Sequence, residues 1–283
     1  MNLALFLLII VMLVVIVYLK LTAKDSYSGL RDQIYFGYYG DMSYQLEETK
    51  DHTNMVWIAA WDRHPLSWGD CVYQRVQQAS NVGKKSVIMM TNDCYVDRKF
   101  NPKAVEELDD LFRKLSKDDY LNDVIAIYPT DEPDGANISS EEIAKANNAI
   151  RNVMKKYSEL KNTALAVFYT GSEKYPGMEY YDWVGFDEYH VGAKALGAKY
   201  RRMVSKLRGD QRTMIIPGGC DKWRQDPKPF VNFALKNPRV VAIVPFIWFD
   251  NADPGNTDVG HGIRSNGMKE AYKEAGLTII KPR

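Results

Sequence analysis

Residues 124–134 read VIAIYPTDEPD, a mainly apolar run that ends in a cluster of acidic side chains. The run has the length of one buried strand, and the residues that close it are charged and turn-forming types. A charged, amphipathic segment follows, in which Ser139 and Glu142 have the spacing of a helix-capping box. The stretch is therefore predicted to be a strand followed by a helix, with carboxyl groups at the junction.

The same pattern occurs eight times along the chain. The other apolar runs are 34–40, 55–61, 86–91, 164–170, 183–189, 213–218 and 240–249, and helix-like segments such as 102–115 and 266–275 lie between or after them. Alternation of strands and helices favours a parallel sheet. Eight units predict an α/β fold, a (β/α)8 barrel, over residues 32–283, because such barrels need about 250 residues. An open doubly wound sheet usually has fewer strands and a glycine-rich first turn, which is missing here.

Composition excludes several classes of function. The formal net charge is +1, and no basic stripe is present, so nucleic acid is not expected as a partner. Four histidines and three cysteines lack the spacing of a zinc site, and we predict no metal and no cofactor. A disulfide between Cys71 and Cys94 is compatible with the sequence. The sequence does not determine the oligomeric state.

The strand ends are more polar and aromatic than the strand starts, and in a (β/α)8 barrel these ends form the active-site mouth. Successive side chains in a strand point to opposite faces. Alternation therefore predicts that Glu132 of the fourth strand and Asp187 of the sixth face each other across the mouth. Val184 and Phe186 should face the helices. The predicted site consists of Tyr38, Trp61, Asp131, Glu132, Asp187, Tyr189, Trp248 and Asp250.

Two facing carboxyl groups among Trp and Tyr side chains are suited to cleaving a glycosidic bond. One acid protonates the departing oxygen, and the other attacks the anomeric carbon or activates water. We assign the acid/base role to Glu132 and the nucleophile or base role to Asp187, with Asp131 orienting Glu132 or binding a hydroxyl. Aromatic rings can pack on the C–H face of a sugar; Tyr38, Trp61, Tyr189 and Trp248 are the candidates, and Asp250 is a candidate for a sugar hydroxyl.

Each motif also has a structural explanation. Residues 131–133 can form a strand-to-loop turn, since acidic residues cap helices and Pro ends regular structure. Asp187 can cap a helix or pair with Arg63 or Arg264, and Trp248 can fill the barrel. The coincidence of all these groups at one end favours a site.

The segment 127–133, IYPTDEP, resembles TIM-barrel glycoside hydrolases and their hydrolase-like relatives, in which a strand ends in Asn-Glu-Pro or Asp-Glu-Pro. The resemblance implies that Glu132 is the acid/base. Segments 181–189, YDWVGFDEY, and 262–266, GIRSN, are similar to the sixth strand and to the tail before the last helix of that group.

The seventh strand departs from the resemblance. Members of the large retaining clan carry their nucleophilic Glu at its end, whereas residues 214–221 read MIIPGGCD. Either Asp187 takes the second role or hydrolysis has been lost. The loss of hydrolysis would leave an inactive glycan-binding barrel displayed at a membrane. A further alternative is a metal-assisted hydrolase that uses Asp93, Asp131, Glu132 and Asp187 as oxygen ligands.

The N-terminus differs from the rest of the chain. Residues 2–19 carry no charge and have nearly the length needed to cross a bilayer as a helix. No basic residue precedes them and no good cleavage site follows, so we predict a single-pass anchor over residues 1–21, and a stalk over 22–31, rather than a cleaved signal peptide. Lys20 and Lys24 follow the apolar run, and the positive-inside rule then favours a cytoplasmic barrel domain. A carbohydrate substrate favours the opposite side of the membrane, so the orientation stays open.

Overall fold

A computed structural model of the chain describes residues 33–40, 45–60, 66–189, 193–250 and 260–281. All of these but Gln33 belong to the unit Ile34–Arg283. The predicted anchor over 1–21 and the predicted stalk over 22–31 lie outside the described residues. No helix within the described ranges is long and apolar enough to span a membrane.

Eight parallel strands form one sheet that curls into a nearly closed barrel. They are β1 Tyr35–Phe36, β2 Met55–Ile58, β3 Lys85–Met89, β4 Val124–Asp131, β5 Ala164–Tyr169, β6 Trp183–Glu188, β7 Arg212–Pro217 and β8 Val240–Ile243. The order in the sheet is β1-β8-β7-β6-β5-β4-β3-β2. The eight predicted strands are confirmed, although β1 and β8 are shorter than the apolar runs that indicated them.

The side chain of Asn54 closes the seam between β1 and β2. Its Oδ1 accepts a hydrogen bond from the Phe36 amide at 2.7 Å, and its Nδ2 donates to the Ile34 carbonyl at 3.0 Å. The Asn54 amide donates to the Phe36 carbonyl at 3.1 Å. One carboxamide thus satisfies backbone groups that a longer β1 would pair with β2.

Six longer helices surround the described part of the barrel. They are α1 Trp68–Asn81, α2 Pro102–Lys117, α3 Ser140–Met154, α4 Ala193–Val204, α5 Lys228–Lys236 and α6 Lys269–Ile280. Helix α2 begins with Pro at its first turn, as predicted, and buries Leu108, Leu111, Phe112 and Leu115 along one stripe. Each such side chain stabilises the fold by about 1.5–3 kcal/mol when fully buried.

The predicted capping box is half realised. Ser139 Oγ accepts a hydrogen bond from the Glu142 amide at 3.3 Å. The Glu142 carboxylate, however, accepts from the Phe100 amide at 2.8 Å, because a short hairpin formed by Tyr95–Val96 and Lys99–Phe100 packs beside α3.

Seven of the eight predicted strand–helix units contain an α-helix, which in the first unit is only the short helix Leu46–Thr49; the prediction is wrong for one unit. The chain between β5 and β6 contains only the 3-10 turn Met178–Tyr180. The loop turns at Gly177, whose φ of 65° suits glycine, and a side chain there would collide with Ile143. The loop therefore packs on α3 without a helix of its own.

Apolar side chains form two layers. The barrel interior contains the large aromatic side chains Tyr39, Trp57, Tyr128, Phe168 and Trp183 among a greater number of Ala, Val, Ile and Met side chains. A larger layer between the strands and the helices contains Val184, Phe186, Tyr38 and Trp248. Cys71, Cys94 and Cys220 are all buried free thiols, so the Cys71–Cys94 disulfide left open by the sequence does not form.

Candidate active site

A bulge in β4 determines which acid enters the barrel. Ile127 of β4 pairs with Leu165 of β5, and the next regular pair is Thr130 with Val167. Two residues of β4 therefore lie opposite one residue of β5, which is a β-bulge. Pro129, which cannot donate a ladder hydrogen bond, lies in this bulge. Thr130 consequently points outward and bonds the hydroxyls of Tyr95 and Tyr181. Strict alternation along this strand, which would place Thr130 on the same inward face as Tyr128 and Glu132, is therefore wrong.

Asp131 is the side chain that the bulge turns inward. Its Oδ2 accepts a hydrogen bond from the Tyr39 hydroxyl at 2.7 Å, and its Oδ1 accepts one from the Tyr128 hydroxyl. Burial raises the pKa of Asp131 to about 6, even though the two tyrosine hydroxyls stabilise its charged form. Asp131 is thus fixed between two rings and titrates near neutral pH.

Asp187, near the end of β6, also faces the interior, as alternation predicted. Tyr189 Oη donates to its Oδ2 at 2.9 Å, while its Oδ1 is buried and accepts no hydrogen bond from the described residues. Its strand neighbours Val184 and Phe186 lie in the outer layer. Gly185 leaves room for the Phe168 ring, which lies 2.3 Å from where a Cβ would be.

Glu132 and Asp187 form a carboxyl pair. The Glu132 carboxyl is close enough to Asp187 to influence its protonation. Burial, the neighbouring Glu132 carboxyl and the charge of Asp131 together raise the pKa of Asp187 well above its usual range. The two predicted acids are therefore neighbours at the mouth, and their catalytic roles stay a prediction. The raised pKa favours the protonated form of Asp187.

Glu132 has an unusual backbone for a non-glycine residue. Its φ is 41°, in the left-handed region, which costs about 1–2 kcal/mol. The surrounding loop holds it there. The Ala136 amide donates to the Glu132 carbonyl at 2.9 Å, and the Glu132 amide donates to the Phe168 carbonyl at 3.1 Å. Strain that a loop maintains in this way is typical of functional sites.

Aromatic rings form the walls around the carboxyl groups. Tyr189 stacks on Trp223 with ring centroids 4.5 Å apart, and Phe246 lies 5.5 Å from Tyr189 and 5.6 Å from Tyr39. Tyr189, Trp223 and Phe246 are partly exposed. These rings give the mouth the flat apolar faces that a sugar ring needs.

Tyr38 and Trp248 lie elsewhere. Both are fully buried in the outer layer, with ring centroids 4.6 Å apart. Tyr38 Oη is 3.0 Å from His52 Nε2, and Trp248 Nε1 donates to Glu48 at 2.8 Å. The prediction that Trp248 points inward is wrong because β8 ends at Ile243, so strand alternation does not extend to residue 248.

The other two predicted binding residues are not brought to the pair by the described structure. Trp61 lies outside the described residues. Asp250 accepts hydrogen bonds from the Gly262 amide at 2.8 Å and from the Ser265 hydroxyl, and thereby holds the segment before α6.

The end of β7 offers no carboxyl group to the mouth. Gly218, Gly219 and the buried thiol Cys220 follow it, and Asp221 pairs with Arg224 and accepts from the His261 amide. In the part of the chain that the structure covers, no three His, Cys, Asp or Glu side chains are arranged to hold a metal ion. The described carboxyl groups of the mouth are therefore Asp131, Glu132 and Asp187.

Sequence analysis missed several residues of this site. Tyr39 and Tyr128 hold Asp131, and Trp57 and Phe168 line the interior. Pro129 was the available signal for Tyr39 and Tyr128, because a proline inside a strand indicates a bulge, and the bulge turns Asp131 toward these two residues. Trp223 follows β7 in a 3-10 turn, where no periodicity indicates its direction.

No protein-family model matches the sequence, and no curated protein matches it either. Solved structures with a similar fold include the GH2 β-galacturonidase of Eisenbergiella tayi, with 12% identity, a TM-score of 0.57, and 83% of this chain and 46% of that chain covered. This chain thus spans about half the length of that enzyme.

Two shorter proteins match over most of both chains. The GH128 endo-β-1,3-glucanase of Sorangium cellulosum is 13% identical with a TM-score of 0.53, covering 85% of this chain and 98% of that chain. The xylanase and α-amylase inhibitor protein of Scadoxus multiflorus is 11% identical with a TM-score of 0.51, covering 76% and 93%. At these identities the likeness shows the fold alone, the (β/α)8 barrel.

Proposed function

We propose that this chain hydrolyses a glycosidic bond in a poly- or oligosaccharide, using Glu132 and Asp187. The observation that carries the proposal is the carboxyl pair in an aromatic barrel mouth, with the pKa of Asp187 raised well above its usual range. One protonated and one ionised carboxyl group is the charge state that glycoside hydrolysis requires.

In this mechanism Glu132 is the general acid/base and Asp187 is the nucleophile or base. Because burial and the charge of Asp131 raise the pKa of Asp187, this residue holds a proton before the substrate binds. When the leaving oxygen docks beside Glu132, the proton passes to Glu132, which donates it to that oxygen as the bond to the anomeric carbon breaks. Asp187 is then ionised and attacks the anomeric carbon or takes a proton from the attacking water.

Tyr189 and Asp131 position these groups. Tyr189 donates to Asp187 and offers its ring to the sugar together with Trp223. Retaining enzymes hold their two carboxyl groups roughly 5 Å apart, and inverting enzymes hold them roughly 6.5–9.5 Å apart. The stereochemistry of the product, followed by NMR, therefore reports which of the two mechanisms this pair uses.

The decisive experiment compares Glu132→Gln with Glu48→Gln. Glu48 bonds Trp248 in the outer layer, so it is a matched carboxyl group away from the pair. Released reducing ends are measured on purified protein with β-1,3-glucans, β-galacturonides and a wider glycan panel. We expect Glu132→Gln to lower turnover about 10²–10⁴-fold with an unchanged Tm, and Glu48→Gln to retain activity. Equal activity of the two variants would contradict the assignment.

We further propose that residues 1–21 tether the barrel domain to a membrane as a single-pass anchor. The support is the uncharged run 2–19. The full chain should remain in the membrane pellet after alkaline extraction, and a chain that starts at residue 22 should be released. Protease protection of closed vesicles then decides the side on which the barrel lies.

A second candidate is a glycan-binding barrel without catalytic activity. The end of β7 lacks a carboxylate, and an inhibitor protein shares the fold. Oligosaccharide binding without product from any glycan of the panel would favour this candidate over hydrolysis.

A further inference from the structure

We infer that one side of the barrel, formed by α4 and α5, docks on a membrane surface that contains anionic phospholipid. Residues 193–239 carry twelve Lys and Arg against three Asp and Glu, whereas residues 104–142 carry three Lys and Arg against twelve Asp and Glu. Helix α5 follows β7, and α2 follows β3, four strands away in the sheet order, so the two segments lie on opposite sides of the barrel. The overall charge of +1 is therefore the sum of two oppositely charged sides.

The cations of α4, α5 and the turns that follow them form one continuous area, which we call the basic surface. Tyr200 of α4 packs edge-on against Phe233 of α5, with ring centroids 4.8 Å apart. The Arg239 guanidinium, just after α5, donates to the carbonyls of Arg208 at 3.2 Å and Gly209 at 3.5 Å, just after α4. All the cations of the basic surface but Arg239 are exposed; they are Arg201, Arg202, Lys206, Arg208, Lys236 and Arg239.

Nearby acidic residues neutralise only part of the basic surface. Glu173 pairs with Arg202 at 2.7 Å, and Asp210 pairs with Arg208 at 3.1 Å. The third acidic neighbour is Glu179, whose backbone carbonyl accepts a hydrogen bond from Arg208. The cations of the basic surface are therefore twice as many as its acidic neighbours, and an anionic surface would be attracted to it.

The basic surface lacks the apolar centre of a protein–protein interface. Among the described residues, the large apolar side chains that are exposed are Leu66, Val82 and Val96, and none of these belongs to α4 or α5. The centre of a protein interface is depleted in charged residues and relies on buried aromatic anchors. Attraction to a layer of anionic headgroups needs no such centre, because each Lys or Arg near the layer contributes separately. The composition therefore favours lipid over a protein partner.

Most of the basic surface lies at the end of the barrel opposite the mouth. Lys206 and Arg208 precede β7, and Lys236 precedes β8, so these side chains belong to the end where the strands begin. Strand β1 also begins there, at Tyr35, so the chain that follows the uncharged run 2–19 enters the barrel at this end. The inference rests on the proposed function in one respect, which is that residues 1–21 hold the barrel near a membrane. Docking at this end leaves the carboxyl pair open to substrate.

The test keeps the anchor constant and changes the lipid composition. The full chain is reconstituted in vesicles of phosphatidylcholine alone and in vesicles that also contain about 30 mol% phosphatidylglycerol. Backbone hydrogen exchange is followed by mass spectrometry in residues 205–211 and 236–239. We expect exchange there to be about tenfold slower in the anionic vesicles. The slowing should disappear at about 0.5 M NaCl, because salt screens exposed charges.

Two matched variants locate the effect on the barrel. The test variant removes three exposed cations from the basic surface, with Arg201→Gln, Lys206→Gln and Lys236→Gln. It should dock about 100-fold more weakly, about fivefold for each charge, so that the slowing is lost. The control makes the same change in net charge on α2, with Arg113→Gln, Lys114→Gln and Lys117→Gln, and should keep the slowing. The lipid and salt dependence of the wild type tests the inference even if the test variant does not fold.

Equal exchange in the two kinds of vesicle would overturn the inference, as would a control that loses the slowing as fully as the test variant. Slowing that occurs without lipid and grows with protein concentration would also overturn it, and would assign the basic surface to the acidic side of a second copy of this chain. Failure of the proposed anchor looks different. The chain is then washed from phosphatidylcholine vesicles but still sediments with the anionic vesicles at low salt, and the test variant does not.

Discussion

Two clusters, each made of aromatic and ionisable side chains, lie on opposite sides of the barrel wall. The inner cluster contains Tyr39, Tyr128, Asp131, Asp187 and Tyr189. The outer cluster contains Tyr38, His52, Glu48 and Trp248, with Lys269 of α6 over the Trp248 ring. The inner carboxyl groups face a mouth with partly exposed aromatic walls. The outer groups pair with one another and hold helices to the sheet.

The two clusters should also respond to pH in opposite directions. Burial raises the pKa of the inner acids Asp131 and Asp187, so the folded state favours their protonated forms. Burial, aided by the positive charge of Lys273, lowers the pKa of His52 to about 4, so the folded state favours its neutral form. The inner acids therefore contribute less to the stability of the folded state as pH rises, whereas His52 of the outer cluster contributes less as pH falls.

The largest effect is expected from Trp248→Ala. The variant removes a fully buried indole from the outer cluster, and we expect a loss of about 3–5 kcal/mol in the free energy of unfolding. Urea denaturation measures it. Oligosaccharide affinity of the folded variant should be unchanged. A loss of affinity at normal stability would instead make Trp248 a sugar platform and erase the distinction between the clusters.

The fold was predictable from the sequence because eight apolar runs separated by charged segments allow few other arrangements. Asp187 was predictable too, since β6 pairs with β7 without interruption from Trp183 to Glu188 and alternation holds along it. Asp131 was predicted as a site residue, but its inward direction was not, and neither was the outer position of Trp248. The first depends on a bulge at Pro129, and the second on where β8 ends, and both are set by pairing with neighbouring strands that local sequence does not specify.

The pH response of the outer cluster is the next test. The folded pKa of His52, about 4, is below the unfolded value of about 6.5, so this stability is present above pH 6.5 and is lost as pH falls toward 4. Between pH 7 and 4.5 the wild type should lose about 2.5 kcal/mol through this group. His52→Gln should lose less over the same interval. Parallel pH curves for the two proteins would show that His52 is accessible to protons in the folded state.

The inner cluster should show the opposite sign. The folded pKa of Asp131, about 6, is above the unfolded value of about 3.9, so this stability is present below pH 3.9 and is lost as pH rises through 6. The unfolding free energy of the wild type should fall by about 2 kcal/mol between pH 4 and 7 through this group, and Asp131→Asn should lack that part of the fall. Asp187 titrates in the same direction and is present in both proteins. A steeper decline in the variant would contradict the prediction.

The smallest effect is expected from Tyr38→Phe, which removes one hydroxyl from the outer cluster. Its bond to His52 Nε2 is then lost while the ring still packs on Trp248, so the unfolding free energy should fall by about 1 kcal/mol. Tyr39→Phe is the counterpart inside the barrel, where the lost hydroxyl donates to Asp131. Without that donor the charged form of Asp131 is less stable, so the pKa of Asp131 should rise further in Tyr39→Phe and stay unchanged in Tyr38→Phe. Carboxyl titration followed by NMR distinguishes the two variants, and an equal response would mean that the barrel wall does not separate the clusters electrostatically.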